Sequence, residues 1–235
     1  MRTVRYGEAS IIASVYTERY GMQSYIVNGI RSAGKSGQSK AGLFQPGAIL
    51  DLVVYHNESK NIQRIKEFRW GYLYETVFSG VLRNAVAMYM IELTQKSIRE
   101  PEPNENLYAF IEDALVHLDK SGDRVAANFP LYFTLHLMTF LGLQVADAYT
   151  GERAVLDLKE GSFTPDRPDH PYFIEGEMSF ISSRLLRVMQ PEELNTFPLN
   201  QEIRKQLLDA YLQFYALHIS DFGSMKTLGV IRTLL

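Results

Sequence analysis

The apolar pattern of this 235-residue chain changes period once, close to Tyr74, and that single change limits the folds open to it. Before it, short runs rich in Ile, Val and Tyr at 10–17, 22–30, 48–55 and 62–70 read as strands. Gly21 is a turn residue between the first two, and the polar segment HNESKN separates the last two. After it, Phe78, Val81, Leu82, Ala85, Met88 and Tyr89 recur at helical spacing within 75–96, and Pro101 and Pro103 require that helix to stop. Asn104 offers an N-cap for a helix over 105–118, with Leu107, Phe110, Ile111, Ala114 and Leu115 on one face. Further helices are expected at 130–144, 178–189, 200–218 and 224–234. Strands first and helices afterwards predict an α+β chain, because parallel α/β sheets alternate the two. The expected architecture is a five-stranded oligonucleotide-binding (OB-fold) barrel over 1–72, followed by an all-helical domain over 73–235. Residues 146–176, with Gly151, Gly161, Pro165, Pro168, Pro171 and Gly176 among many charges, are expected to be an irregular insertion.

Charge divides along the same line. Residues 1–70 carry ten Lys/Arg against five Asp/Glu, a balance of +5, whereas the remaining 165 residues carry fourteen against twenty-two, a balance of −8. That asymmetry points to a polyanion-binding front end on an acidic body. The absence of cysteine excludes disulfides and thiolate metal sites and agrees with a reducing cytoplasm. The first twenty residues hold Arg2, Arg5, Glu8, Glu18 and Arg19 and no apolar run of signal-peptide length, so secretion is not expected. Between Arg124 and Asp147 no charged residue occurs, but Asn128, Pro130, His136 and Gln144 mark a buried helix rather than a membrane span.

Residues 29–36, GIRSAGKS, satisfy the phosphate-loop pattern G-x-x-x-x-G-K-[ST] and follow a strand. A nucleotide loop needs a helix directly after its Ser/Thr, because the N-terminal N–H groups of that helix hold the phosphates. Here GQSKAGLFQPG follows, and Gly37, Gly42, Pro46 and Gly47 break any helix in its first turns. The same residues fit a basic loop between two strands better. Arg31, Lys35 and Lys40 lie within ten positions without an acidic neighbour, beside Gly and Ser that let the backbone approach a phosphate chain.

No nucleophile elbow, H-E-x-x-H or paired-carboxylate spacing appears, and the five histidines are far apart, so no enzymatic activity is expected. Glu92, near the apolar face of its helix, reads as a structural hydrogen-bond acceptor or partner contact. The first candidates for binding phosphates are Arg31, Lys35 and Lys40; the second are Arg64, Lys66 and Arg69. Strict alternation puts Arg64 and Lys66 on one strand face and Arg69 on the other. Tyr25, Phe44, Phe68 and Trp70 are possible base-stacking platforms, with barrel core as the favoured reading of each. His170 with Asp147, Asp157, Asp166 and Asp169 has metal-ligand residue types, but their spacing fits a solvated acidic loop better.

The opening 6–10, YGEAS, followed by Ile11-Ile12 and by Tyr16-Thr17-Glu18 with Gly21, resembles the start of the RecO family. The resemblance continues at 28–32 (NGIRS), at 43–46 (LFQP), at 90–93 (MIEL) and at the close over 225–235. It implies an OB-fold barrel, a helical domain, binding to single- and double-stranded DNA and annealing of complementary strands. It also implies the RecFOR repair pathway in the cytoplasm at the nucleoid, with RecR, the C-terminal tail of single-strand-binding protein and, indirectly, RecA as partners. No cofactor is implied: many relatives hold a four-cysteine zinc cluster in the region of 146–176, and this chain has no cysteine. Met1 falls near the end of the family's first strand, so an open barrel edge is expected. The competing readings are an OB-fold protein for RNA or tRNA and a nucleotide hydrolase working through 29–36.

Overall fold

A computed structural model describes residues 1–30, 40–98 and 102–235. It divides into two compact units, one of Met1–Glu75 with the segment up to Val116 that follows the first helix, the other of Thr76–Ile98 with His117–Leu235.

The first unit is built on a five-stranded sheet of order β1-β2-β3-β5-β4, comprising β1 (Arg2–Tyr6), β2 (Ser10–Thr17), β3 (Gly21–Val27), β4 (Leu50–Tyr55) and β5 (Ile62–Trp70). Only the β3–β5 pairing is parallel. The β2–β3 hairpin turns at Gly21, whose φ of +60° a side chain would strain, and Thr17 fastens the turn by accepting from the Tyr20 N–H at 3.0 Å. Ile11, Ala13, Tyr25, Val27, Ile30, Phe44 and Ile65 form the buried core on the inner face.

The sheet is open, which corrects the OB-fold barrel expected from strand count. β1 and β4 lie at opposite ends of the strand order, and no ladder joins them among the described residues. The residues of β1 explain why closure gains little. Thr3 and Arg5 pair with the buried Ala13 and Ile11 and so stand on the inner side, yet all five residues of β1 are exposed. A strand that turns Thr and Arg inward brings no apolar surface to the core, so little hydrophobic stabilisation favours a closed ring.

In the second unit, α3 (Asp123–Phe140) packs against α1 (Val81–Ser97), α4 (Gly176–Leu186) and α5 (Gln201–His218), while α6 (Leu228–Leu234) lies on α1. The helix α2 (Glu105–Lys120) crosses from the first unit into the second, and its start is capped as the sequence predicts, Asn104 accepting from the Leu107 N–H at 2.9 Å. α3 starts seven residues before the expected position because Pro130 lies inside it rather than at its start. Burial of Phe129, Leu131, Phe133 and Leu135 around that proline offsets the hydrogen bond it deletes. α1 starts later than its apolar spacing suggests, because Thr76 and Val77 are held out of it. The Asp119 carboxylate, buried in the second unit, accepts from the N–H groups of Thr76 at 2.8 Å and Val77 at 2.9 Å.

The expected irregular insertion is a three-stranded antiparallel sheet of order β7-β6-β8, comprising β6 (Val155–Asp157), β7 (Ser162–Thr164) and β8 (Phe173–Ile174). The second unit is therefore not all-helical. Strands of three, three and two residues are too short to show a period in sequence.

Glu92, on α1, caps α6. Its carboxylate accepts from the N–H groups of Lys226 and Thr227, both at 2.8 Å, and Lys96 one turn further along α1 donates to the Phe222 carbonyl at 2.6 Å. Burial pushes the Glu92 carboxyl up, but the two N–H donors and the nearby Lys96 charge outweigh it and hold the group below its ordinary value. A carboxyl depressed in the folded state contributes its full stability above the unfolded value and loses it as pH falls through the folded one. Glu92→Gln is expected to cost about 1 kcal/mol at neutral pH, allowing for solvent screening, which is a fall of about 2–4 °C in Tm. The gap to the parent protein should close as acid is added through that range, which thermal melts across a pH series will measure. Asp119→Ala leaves buried N–H donors without an acceptor and should cost about 2–3 kcal/mol, read as a lower urea midpoint at unchanged m-value.

Candidate nucleic-acid interface

The β4–β5 ladder sets the geometry of the cationic face. Val53 pairs with Glu67 and Val54 with Ile65, so Lys66 is an extra residue in β5 and the register shifts there. This bulge resets the alternation. Ile65 and Phe68 both turn inward, while Arg64, Glu67 and Arg69 share the outer face opposite Tyr55, Val53 and Asp51. The expectation that Arg69 faces away from Arg64 is thereby corrected. The same face continues across the sheet, because Arg64 partners Ile26, Ile26 partners Ile12 and Ile12 partners Val4.

The cations on this face differ in their engagement. Arg69 donates to Asp51 at 2.9 Å and Lys66 lies 3.3 Å from Glu67. Arg64 is exposed and has no ion-pair partner among the described residues. Arg31 and Lys35 lie outside the described residues, as does the side chain of Lys40, the first residue of the 3-10 helix Lys40–Phe44. Most of the 29–36 motif also falls outside the described residues. The two that are described, Gly29 with φ of +67° and buried Ile30, follow a strand whose neighbours in the sheet are β2, antiparallel, and β5.

The aromatic candidates separate cleanly. Tyr25 and Phe44 are buried core residues, and the half-buried Phe68 packs edge-on against Phe44 with centroids 4.9 Å apart. Trp70 is also half-buried. Among the described residues of the first unit, the exposed rings are Tyr6 and Tyr55, neither of which the sequence marks as a stacking platform. A signal for Tyr55 was present: in LDLVVY the apolar Leu50, Leu52 and Val54 alternate with Asp51, Val53 and Tyr55, and the second set is the exposed one.

One end of the outer face is acidic. The Tyr16 hydroxyl donates to the Asn104 carbonyl at 3.4 Å, and the Tyr16 and Tyr108 rings lie 6.4 Å apart. Burial raises the Glu112 carboxyl above its ordinary value, and the charges of Glu18, Asp51 and Asp113 raise it further against the opposing Tyr108 hydrogen bond. Burial, with Glu112 and Glu18 nearby, pushes Tyr108 up to about 12. Clustered carboxylates of this kind disfavour a polyanion.

In the second unit, α1 and α6 border an apolar groove of about 540 Å³ lined by Phe78, Val81, Met88, Val230 and Leu234, with Lys226 at its edge. Asp147 and Asp157, two of the acidic residues of 146–176, have separate structural duties. Asp147 binds Arg187 and Ser183, and Asp157 accepts from the N–H groups of Lys159 and Glu160 while facing His170 at 3.4 Å. No group of three or more metal-ligating side chains occurs among the described residues, nor is any described helix long and apolar enough to cross a membrane.

Comparison with known proteins matches both parts of the chain. Residues 1–74 match the family model "Recombination protein O N terminal", and residues 80–226 match "Recombination protein O C terminal". Among similar proteins, the DNA repair protein RecO of Christiangramia forsetii is 31% identical over 228 residues, covering 97% of this chain and 93% of its own. The RecO proteins of Phocaeicola vulgatus (29% over 234 residues, 100% and 95% covered) and Porphyromonas gingivalis (28% over 237 residues, 100% and 96% covered) are similar along their whole length. With two family models spanning both units and relatives aligned almost end to end, this chain belongs to the RecO family.

Proposed function

We propose that residues 1–72 hold DNA strands for annealing, on the outer face of the N-terminal sheet and the basic 31–40 connection, and that residues 73–235 receive protein partners. Membership of the RecO family makes the chain a non-catalytic mediator of DNA repair and recombination. The observation that carries the residue-level reading is the exposed row of Arg64, Lys66 and Arg69 on an open sheet face, contiguous in sequence and charge with the basic front end. Annealing needs phosphates neutralised so that two strands can meet, with each held weakly enough to pair. Single- and double-stranded DNA are both ligands in this reading, and the setting is the cytoplasm, at the nucleoid.

The proposed partners are RecR, single-strand-binding protein and, through them, RecA. The groove between α1 and α6 suits the acidic, apolar C-terminal tail of single-strand-binding protein, since its lining is mostly apolar and includes the cationic residue Lys226.

Reversing the charges of Arg31, Lys35 and Lys40 together is expected to weaken single-strand binding and to flatten the slope of log K against log salt by about 2, from about 0.7 per phosphate contact. Labelled oligonucleotides over a salt series measure this, and unchanged affinity and slope would refute the loop assignment. Val230→Asp should abolish the acceleration of annealing that depends on the tail of single-strand-binding protein. Annealing of naked strands should be unaffected, and equal behaviour of both proteins on coated strands would remove the groove from the reading.

A further inference from the structure

Tyr55 and Arg64 face each other across the β4–β5 ladder on the outer side of the sheet. Tyr55 is 57% exposed, and neither side chain is enlisted by the core of its unit. Directly opposed residues hold their Cβ atoms about 5 Å apart, so a phenol ring and a guanidinium plane can present one surface to a ligand. Ile62, 45% exposed, and Val53, 49% exposed, border the pair, and Ile26 adjoins Arg64 from β3. The neighbouring charges Glu67, Lys66, Asp51 and Arg69 answer one another, so among the described residues the unanswered charge of this patch is the positive one on Arg64.

We infer that Tyr55 and Arg64 together hold one unpaired nucleotide of single-stranded DNA, its base on the Tyr55 ring and its phosphate on Arg64, and that this pair makes the face prefer single strands to duplex. The inference rests on the DNA-binding reading above and adds a site and a selectivity to it. The flat face of a base is open to a protein ring when the base is unpaired and unstacked, and is covered inside a duplex. Stacking on tyrosine tolerates any base, which suits a protein that anneals strands regardless of sequence. The aliphatic border adds apolar surface beside the ring for a base to cover, while the positive charge draws in the backbone. An exposed tyrosine opposite a charge-free position would serve an apolar peptide equally well; the unneutralised guanidinium is what favours a polyanion.

The test uses the full chain, a labelled oligothymidylate and a labelled duplex hairpin over a salt series. Tyr55→Ala should weaken oligothymidylate binding about tenfold at unchanged salt slope, with duplex affinity unmoved, and Tyr55→Phe should restore binding. Arg64→Ala should weaken binding and reduce the slope by about 0.7. Ultraviolet cross-linking of the unmodified protein to an oligonucleotide carrying a halogenated pyrimidine should label Tyr55, whatever the folding of the variants. Unchanged oligothymidylate affinity in Tyr55→Ala, an equal loss on both DNAs, or cross-links that avoid β4 would overturn this inference and leave DNA binding intact. An unmodified protein that bound neither DNA would overturn both.

Discussion

Ile65 and Phe68 both belong to the core side of β5, and a regular strand cannot put residues three apart on one face. The extra residue at Lys66 resolves this conflict, and the outer surface of the first unit follows from it. With the bulge, Arg64 and Arg69 share a face with Glu67, Tyr55, Val53 and Asp51. Without it, satisfying Ile65 would drive Phe68 into water, and satisfying Phe68 would drive Arg64 inward. The core requirement fixes where the cations stand.

This constraint was legible in the sequence, in the odd separation of Ile65 and Phe68, but strict alternation conceals it. The OB-fold barrel was a different failure. Strand number and composition give the count of strands and say nothing of whether the first and last pair. The decisive residues are Thr3 and Arg5, inward by register yet polar, and their register is known only once β1 is seen against β2. Long elements with repeated periods, such as α5, were readable to within a residue, Asn200 capping it by accepting from the Ile203 N–H. The three short strands of 155–174 were not, because Asp157, Gly161 and Pro165 look like loop residues until the pairing of β6 with β7 and β8 is present.

In the second unit, the buried Asp119 and the half-buried Glu92 do work that propensity cannot forecast. Asp119 holds the segment before α1 and Glu92 holds the start of α6, each by accepting main-chain N–H groups from residues distant in sequence. Sequence alone could mark Glu92 as unusual on an apolar face and could suggest a hydrogen-bond role. The partner it caps lies 134 residues away and is a product of folding. The same contact fixes the chain at Lys226 and Thr227, where the groove between α1 and α6 is edged, so a capping interaction also shapes a candidate docking surface.

In the proposed binding mode, the ion pairs on the sheet face bear on how tightly DNA would be held. Arg69 and Asp51 are both more than half exposed, and a pair of that kind contributes at most about 1 kcal/mol. A phosphate can therefore displace Asp51 from Arg69, or Glu67 from Lys66, at small but real cost, and each exchange subtracts from the affinity gained. A fully unpaired cationic row would bind single strands more tightly and release them more slowly. If this face holds DNA as proposed, partial neutralisation by Asp51 and Glu67 would favour turnover over retention, and would leave Arg64 as the described cation of this row that meets a phosphate without first giving up a partner.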